Sequence, residues 1–401
     1  MDRREFLKSM LVGTGAMVGS SAFPILSYGA AKKPIKIGLI APFSGVLSNM
    51  GEDMTKGVKL AVEMVNEKGG VLGRKIELVI EDDKTDPAAA SLKAKKIVFN
   101  DKVDFLMGTI SSATTLAVIN VIKGTKVPYF WVAEGEDKNC VDGKKDQTRK
   151  YVFGVGPTPE QKFEHYIPYL LQNFGKSFYF VGSDYVFPHF VIDIGKDLLK
   201  KHGGTTIGEE YGPLGTTDWS AVITKIEKAK PDILFSVVVG SDGAAFVKQA
   251  MNFGLKSKMT ITGFPSFDPT AYPAMADSVE GILAPTNYSE GLNNPTNTEY
   301  VKRYKAKYNP KFPISDISNG GFAVIQFIQA GVEKAGSTDP DKFVKAVEGI
   351  SIIAPQGEMR INAKNHTTDQ HIFLCKIQQG RYDVVKDFGM TIHPDHSGCS
   401  A

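Results

Sequence analysis

The sequence predicts an α/β protein of two doubly wound modules in series. Three observations carry this. Short, nearly continuous apolar runs alternate with amphipathic stretches of helical period. That alternation restarts after Pro157-Thr158-Pro159. The chain, at 401 residues, exceeds what one compact core holds.

Ile35-Lys-Ile-Gly-Leu-Ile40, ended by Pro42 and Gly45, reads as a buried parallel strand. Met54, Val58, Ala61, Val62 and Val65 then recur at helical spacing, on one face of a helix that Gly69-Gly70 ends. Residues 74–81 alternate as the next strand. Pro87 opens a helix with Ala90, Ala94, Ile97 and Val98 facing inward. Residues 103–107 are a third strand, 112–123 a third helix and 128–132 a fourth strand. The second module predicts a helix over 160–173, a strand over 177–181 and a helix over 187–202. A strand over 205–210, a helix from Asp218, a strand over 232–239, a helix over 242–253 and a strand over 258–262 follow. Strands joined through helices pair in parallel. The last part changes character, with helices over 299–307, 318–334 and 340–347, then strands over 370–377 and 382–388 joined at Gly380.

The N-terminus reads as an export signal. Arg3-Arg4 precede Phe6-Leu7-Lys8, and Ser9 to Ala31 carry no charge. The arginine pair is similar to a twin-arginine leader, and cleavage is expected after Gly29 or Ala31. Several glycines, Ser20-Ser21 and Pro24 dilute the run as a membrane anchor, and no cysteine stands where a lipid would attach. Removing the leader leaves roughly 370 residues, a length that suits two domains. The formal charge of +3 comes without a basic stripe interleaved with aromatics, so no nucleic-acid partner is expected.

In an oxidising compartment the three cysteines permit one disulfide. Cys375 lies in a strand-like run and reads as a buried thiol, leaving Cys140 and Cys399, both in polar turns, as the candidate pair. His393, His396 and Cys399 have loose metal-like spacing, but Pro394 and Gly398 disfavour a helix and favour a solvated tail. No metal or cofactor is expected.

Glycine-rich nucleotide cradles, a G-x-S-x-G elbow and H-E-x-x-H are absent. All seven histidines fall after residue 164, away from the strand-end loops of the first module. An exported enzyme therefore lacks a placed base there. What remains is polar groups at the carboxyl ends of strands, where open α/β sheets bind ligands. Ser111 or Ser112 opens the third helix, either as an ordinary cap or as a group holding a carboxylate or carbonyl oxygen. Ala133-Glu134-Gly-Glu-Asp137 follows the fourth strand as a carboxylate source or a solvated loop. Tyr185 offers a ring and a hydroxyl, and Asp242 reads first as a helix cap and second as a ligand contact.

Together these landmarks resemble a family. Lys36-Ile-Gly-Leu-Ile-Ala-Pro-Phe-Ser-Gly45, Asn66 to Arg74, and Asp82-Asp83 with Asp86-Pro87 are similar to the opening of the type I periplasmic solute-binding proteins of branched-chain amino acid, amide and urea importers. Glu134-Gly135-Glu136, Gly182 to Pro188, and Ala354 to Ile361 with Asn365-His366 look closest to the amide/urea branch. The resemblance runs from about Ile35 to Asp387. It implies two Rossmann-like lobes joined by a three-strand hinge: 32–155 plus 283–355 as lobe I, 156–282 plus 356–395 as lobe II, and 396–401 as a tail. It further implies a small solute between the lobes, an ABC permease in the inner membrane as partner, a periplasmic location and a monomer. By similarity Ser112 holds the solute's polar head, Ala133 contributes backbone and Tyr185 comes from the second lobe. Met50 stands where amino-acid binders often carry an aromatic, and Glu134-Gly135 replaces a small residue plus threonine. His189 follows Pro188 where urea binders tend to carry arginine, and Phe264 opens the segment where amino-acid binders place a glutamate. These departures favour a neutral amide or a compound with an apolar body. A sensor of the same fold, reporting to a regulator, is the alternative.

Overall fold

The computed structural model describes residues 32–133, 135 and 149–392. The leader 1–31, Glu134, Cys140, Cys399 and the tail 396–401 lie outside the described residues. Cys375 is buried and free.

The first sheet has the order β2-β1-β3-β4-β5, with every pair parallel. Its strands are β1 (Ile35–Ala41), β2 (Ile76–Asp82), β3 (Phe105–Gly108), β4 (Tyr129–Trp131) and β5 (Val152–Gly154). Helices α1 (Ser48–Glu67), α2 (Pro87–Lys95) and α3 (Ser112–Ile122) connect them. Strands β1, β3 and β4 are buried almost throughout, which is why they read as apolar runs rather than as alternation. The same layer takes in α9 (Pro295–Tyr308), α10 (Asp316–Ala335) and α11 (Pro340–Val347), which follow later in the chain. Phe343 of α11 meets Phe105 edge-on, ring centroids 4.7 Å apart, beside stacked Phe130 and Phe153.

The second parallel sheet has the order β7-β6-β8-β9. It comprises β6 (Ser177–Ser183), β7 (Thr205–Gly212), β8 (Ile233–Val237) and β9 (Thr260–Gly263). Its helices are α4 (Pro159–Asn173), α5 (Val186–Lys201), α6 (Ser220–Ala229) and α7 (Gly240–Asn252), and a one-turn helix α8 (Tyr272–Met275) follows. Helix α4 starts on a capping box between Thr158 and Gln161, with Pro159 in its first turn. Both sheets reverse strand order beside their first strand, β1 in one and β6 in the other, and that reversal opens a crevice at the carboxyl ends.

A third, antiparallel sheet was only partly expected. Strands β13 (Thr368–Gln378) and β14 (Arg381–Thr391) form the hairpin around Gly380. β13 also carries β10 (Leu283–Thr286) and β12 (Gly357–Ile361), and β12 carries β11 (Ser351–Ala354). β10, β11 and β12 are too short for a period-two signal, so they are strands only because β13 pairs with that chain of neighbours. β5 escaped for the same reason. Ala284, Phe373 and Cys375 join a core of the second sheet, while Ala354, Met359 and Ile361 join the core of the first. The chain thus crosses between two lobes near 155–158, 286–287 and 355–370. Where the crossings run side by side, Gly154 N–H donates to the His366 carbonyl at 2.9 Å.

Two local expectations change. Asp242 is not the cap of α7: Val239 holds that position, and the Asp242 carboxylate accepts from Gly215 N–H at 2.6 Å. The predicted helix from Asp218 begins at Ser220, because Asp218 accepts from the Ser220 N–H at 2.9 Å instead of continuing the helix.

Candidate functional site

The loops at the carboxyl ends of both parallel sheets enclose a cavity of about 800 Å³, open mouth included. The first lobe contributes Leu47 and Met50 after β1, Ile110 after β3, and Val132 and Ala133 after β4. The second contributes Tyr185 and Phe187 after β6, Val239 after β8, and Phe264, Phe267 and Asp268 after β9. Thr286 and Asn287, at a crossover, and Asp316, at the start of α10, complete the wall with Lys162 of α4. Aliphatic and aromatic carbon covers most of the surface, and the polar groups gather on one side.

Of the residues singled out from sequence, Met50, Ala133, Tyr185 and Phe264 line this cavity. The Tyr185 phenol is pushed up by burial and stays protonated. Ser111 is the N-cap of α3 but makes no side-chain cap bond; its carbonyl accepts from the Thr114 hydroxyl at 2.9 Å and the Thr115 hydroxyl at 3.1 Å. Ser112 occupies the first helical position, two residues after cavity-lining Ile110, and neither Ser111 nor Ser112 is itself among the lining residues. It is buried, and its hydroxyl has no hydrogen-bond partner among the described residues. Asp242 is not among the residues that line the cavity, and its carboxylate accepts from Gly215 N–H. His189 also lies off the wall, bonded to Asp184 at 2.8 Å and stacked on Tyr211.

Sequence reasoning missed Lys162, Asp268, Asp316 and Asn287. The Lys162 side chain is 2% exposed, with Nζ 3.9 Å from Asp316 and 4.8 Å from the Phe264 ring centroid. Burial pushes its pKa down to about 8, against the pull of Asp316 and then Asp268. Burial and then the charge of Asp316 push the Asp268 carboxyl up, while Thr270, through its N–H and hydroxyl, holds it down. The signal available in sequence was weak: a lysine in the first turn of α4, where the helix dipole disfavours a cation.

Beside the cavity the lobes touch. Ser241 N–H, in the first turn of α7, donates to the Val46 carbonyl of the first lobe at 3.2 Å. Gly240 sits at a left-handed φ of 55°, and a Cβ there would run into that same carbonyl oxygen.

Residues 34–381 match the family described as periplasmic binding protein. Among curated relatives, Leu/Ile/Val-binding protein homolog 8 of Brucella suis biovar 1 (strain 1330) is 28% identical over 372 residues, covering 88% of each chain. Leu/Ile/Val-binding protein BraC3 of Rhizobium johnstonii is 26% identical over 374 residues, covering 92% of this chain and 97% of the relative. A solute binding protein of an ABC transporter from Rhodopseudomonas palustris BisB5, solved with 3,4-dihydroxy benzoic acid, superposes with a TM-score of 0.82 at 24% identity, over 90% of this chain and 99% of that one. The leucine binding protein LivK of Thermotoga maritima MSB8 superposes with a TM-score of 0.78 at 22% identity, over 88% and 98%. The chain belongs to the periplasmic binding protein family, and it shares the fold of the solved solute-binding proteins named above.

Proposed function

We propose that this chain is the exported receptor of an ABC importer, taking a small amide-like or amino-acid-like solute with an apolar body. The observation that carries the reading is the cavity itself. It is walled by both lobes, apolar over most of its surface, and polar only at Lys162, Asp268, Asp316, Asn287 and their neighbours. In this reading two bodies close on the solute, one built on the core of the first sheet and the other on the core of the second, with 283–286 packing in the second and 357–361 in the first. Closure is favoured by whatever affinity the solute has for the closed form beyond the open one. The Ser112 hydroxyl and the N–H groups opening α3 take the solute's polar oxygen, the Ala133 backbone adds a contact, and the Tyr185 ring covers the body. A mismatched solute leaves these buried groups unpaired, which costs about 1–3 kcal/mol each. The closed monomer then docks on an inner-membrane permease in the periplasm, after the leader 1–31 is removed. Glu134 and a Cys140–Cys399 bridge remain part of the proposal.

The test is native mass spectrometry of freshly purified protein, followed by a thermal-shift screen of amides, urea, amino acids and small aromatic acids. A bound solute raises the melting temperature by mass action. A panel without any shift, or turnover of a bound compound, overturns the reading.

A further inference from the structure

The crossovers that join the lobes meet in a cluster of buried amides, and one of its members lines the cavity. The Val155 carbonyl is the anchor, because it can only accept. It takes the Thr368 hydroxyl at 2.9 Å and Gln370 Nε2 at 3.2 Å. The orientation of Gln370 is thereby set, with Oε1 turned away from Val155. Gln370 Oε1 accepts from Gln356 Nε2 at 2.8 Å and from Asn287 Nδ2 at 2.9 Å. Gln356 in turn presents Oε1, which accepts from Asn287 Nδ2 at 3.3 Å and from Asn319 Nδ2. Each amide fixes the next, and both N–H groups of Asn287 are directed into the hinge.

One polar atom of Asn287 is then left over. Its Oδ1 is buried and has no partner among the described residues, while the residue itself lines the cavity. Asn319 Oδ1 is in the same state, but Asn319 does not line the cavity. A buried acceptor that protein groups leave unpaired is a cost that a bound donor removes. The geometry points to Asn287 as a specificity-determining residue whose Oδ1 accepts a hydrogen bond from an N–H or O–H on the solute. Resting on the receptor reading above, this names the solute class as one carrying a neutral donor at its head, a primary amide before a carboxylate. The carboxylates of Asp268 and Asp316 on the same wall favour a donor too, and the charge of Lys162 already faces Asp316 at 3.9 Å. Because Asn287 holds Gln356 and Gln370 of another crossover, the same contact ties an occupied cavity to the hinge.

The test uses isosteric pairs, benzamide against benzoate and isovaleramide against isovalerate, titrated by calorimetry into the exported protein and its Asn287→Ala variant. In the wild type the amide of each pair binds at least tenfold tighter. In Asn287→Ala that ratio shrinks by about tenfold, whereas purely structural damage weakens both members equally and leaves the ratio alone. A carboxylate bound as tightly as its amide, an unchanged ratio in the variant, or binding of neither pair overturns the role of Asn287. If Asn287→Ala does not fold, the wild-type ratio still decides. Should nothing in the wider solute panel bind either, the receptor reading falls with it; binding without donor preference sinks this inference alone.

Discussion

Ser112→Ala separates a binding role from a structural one. The Ser112 hydroxyl is buried without a partner among the described residues. An unpaired buried hydroxyl costs about 1–3 kcal/mol, so deleting it relieves the empty protein or leaves it unchanged. With solute bound, the same deletion removes a hydrogen bond of about 1.4 kcal/mol, a tenfold loss of affinity. The two effects have opposite signs. For a chain of roughly 370 residues, a gain of about 1 kcal/mol raises the melting temperature by about 1–2 °C. Calorimetry with the best solute of the screen reads affinity, and thermal unfolding without solute reads stability. Unchanged affinity takes Ser112 out of the site. A melting temperature lower by several degrees shows instead that the hydroxyl holds the start of α3.

Other substitutions test the surrounding framework. Gly240→Ala places a Cβ against the Val46 carbonyl at a left-handed φ, so it should hold the lobes apart and weaken all solutes by a similar factor. Small-angle scattering in saturating solute should then give a larger radius of gyration than the wild type; an unchanged radius and affinity refute this. Phe343→Ala removes the ring between Phe105, Phe130 and Phe153 and should cost about 3–5 kcal/mol in urea unfolding, with a loss under 1 kcal/mol counting against the packing described. Asp83 is fully buried, and burial pushes its pKa up to about 6 against the Thr85 N–H bond. A group whose pKa is raised on folding binds its proton more tightly in the folded state, so its contribution is present at low pH and is lost as pH rises through about 6. Melting curves of Asp83→Asn should therefore fall less between pH 5 and pH 7 than those of the wild type, and parallel curves refute this assignment.

The parallel sheets were legible because their central strands are buried on both faces and separated by amphipathic helices with recognisable ends. The apolar run at 35–40 and the helical spacing of Met54 to Val65 need no partner to be read. The polar residues at strand ends were legible for a related reason, since the carboxyl end of a parallel sheet is where helices begin and N–H groups stand free. Asp242 shows the limit of that logic. It stands at a strand end, but whether its carboxylate faces solute or Gly215 depends on a loop far along the chain.

By itself the sequence determined the α/β class, the two modules in series, and the strand-end positions of Ala133 and Tyr185, whereas Met50 and Phe264 stood out only through the family resemblance. The former depend on periodicity and local ends, which a linear pattern encodes. Only the tertiary structure decided that Lys162, Asp268, Asn287 and Asp316, from four separate segments, share one wall with the aromatic residues. It likewise made strands of 283–286, 351–354 and 357–361 by pairing them. Hydrogen-bond partners, desolvation and the turning of an amide toward a cavity are set by neighbours in space, and those neighbours are distant in the chain.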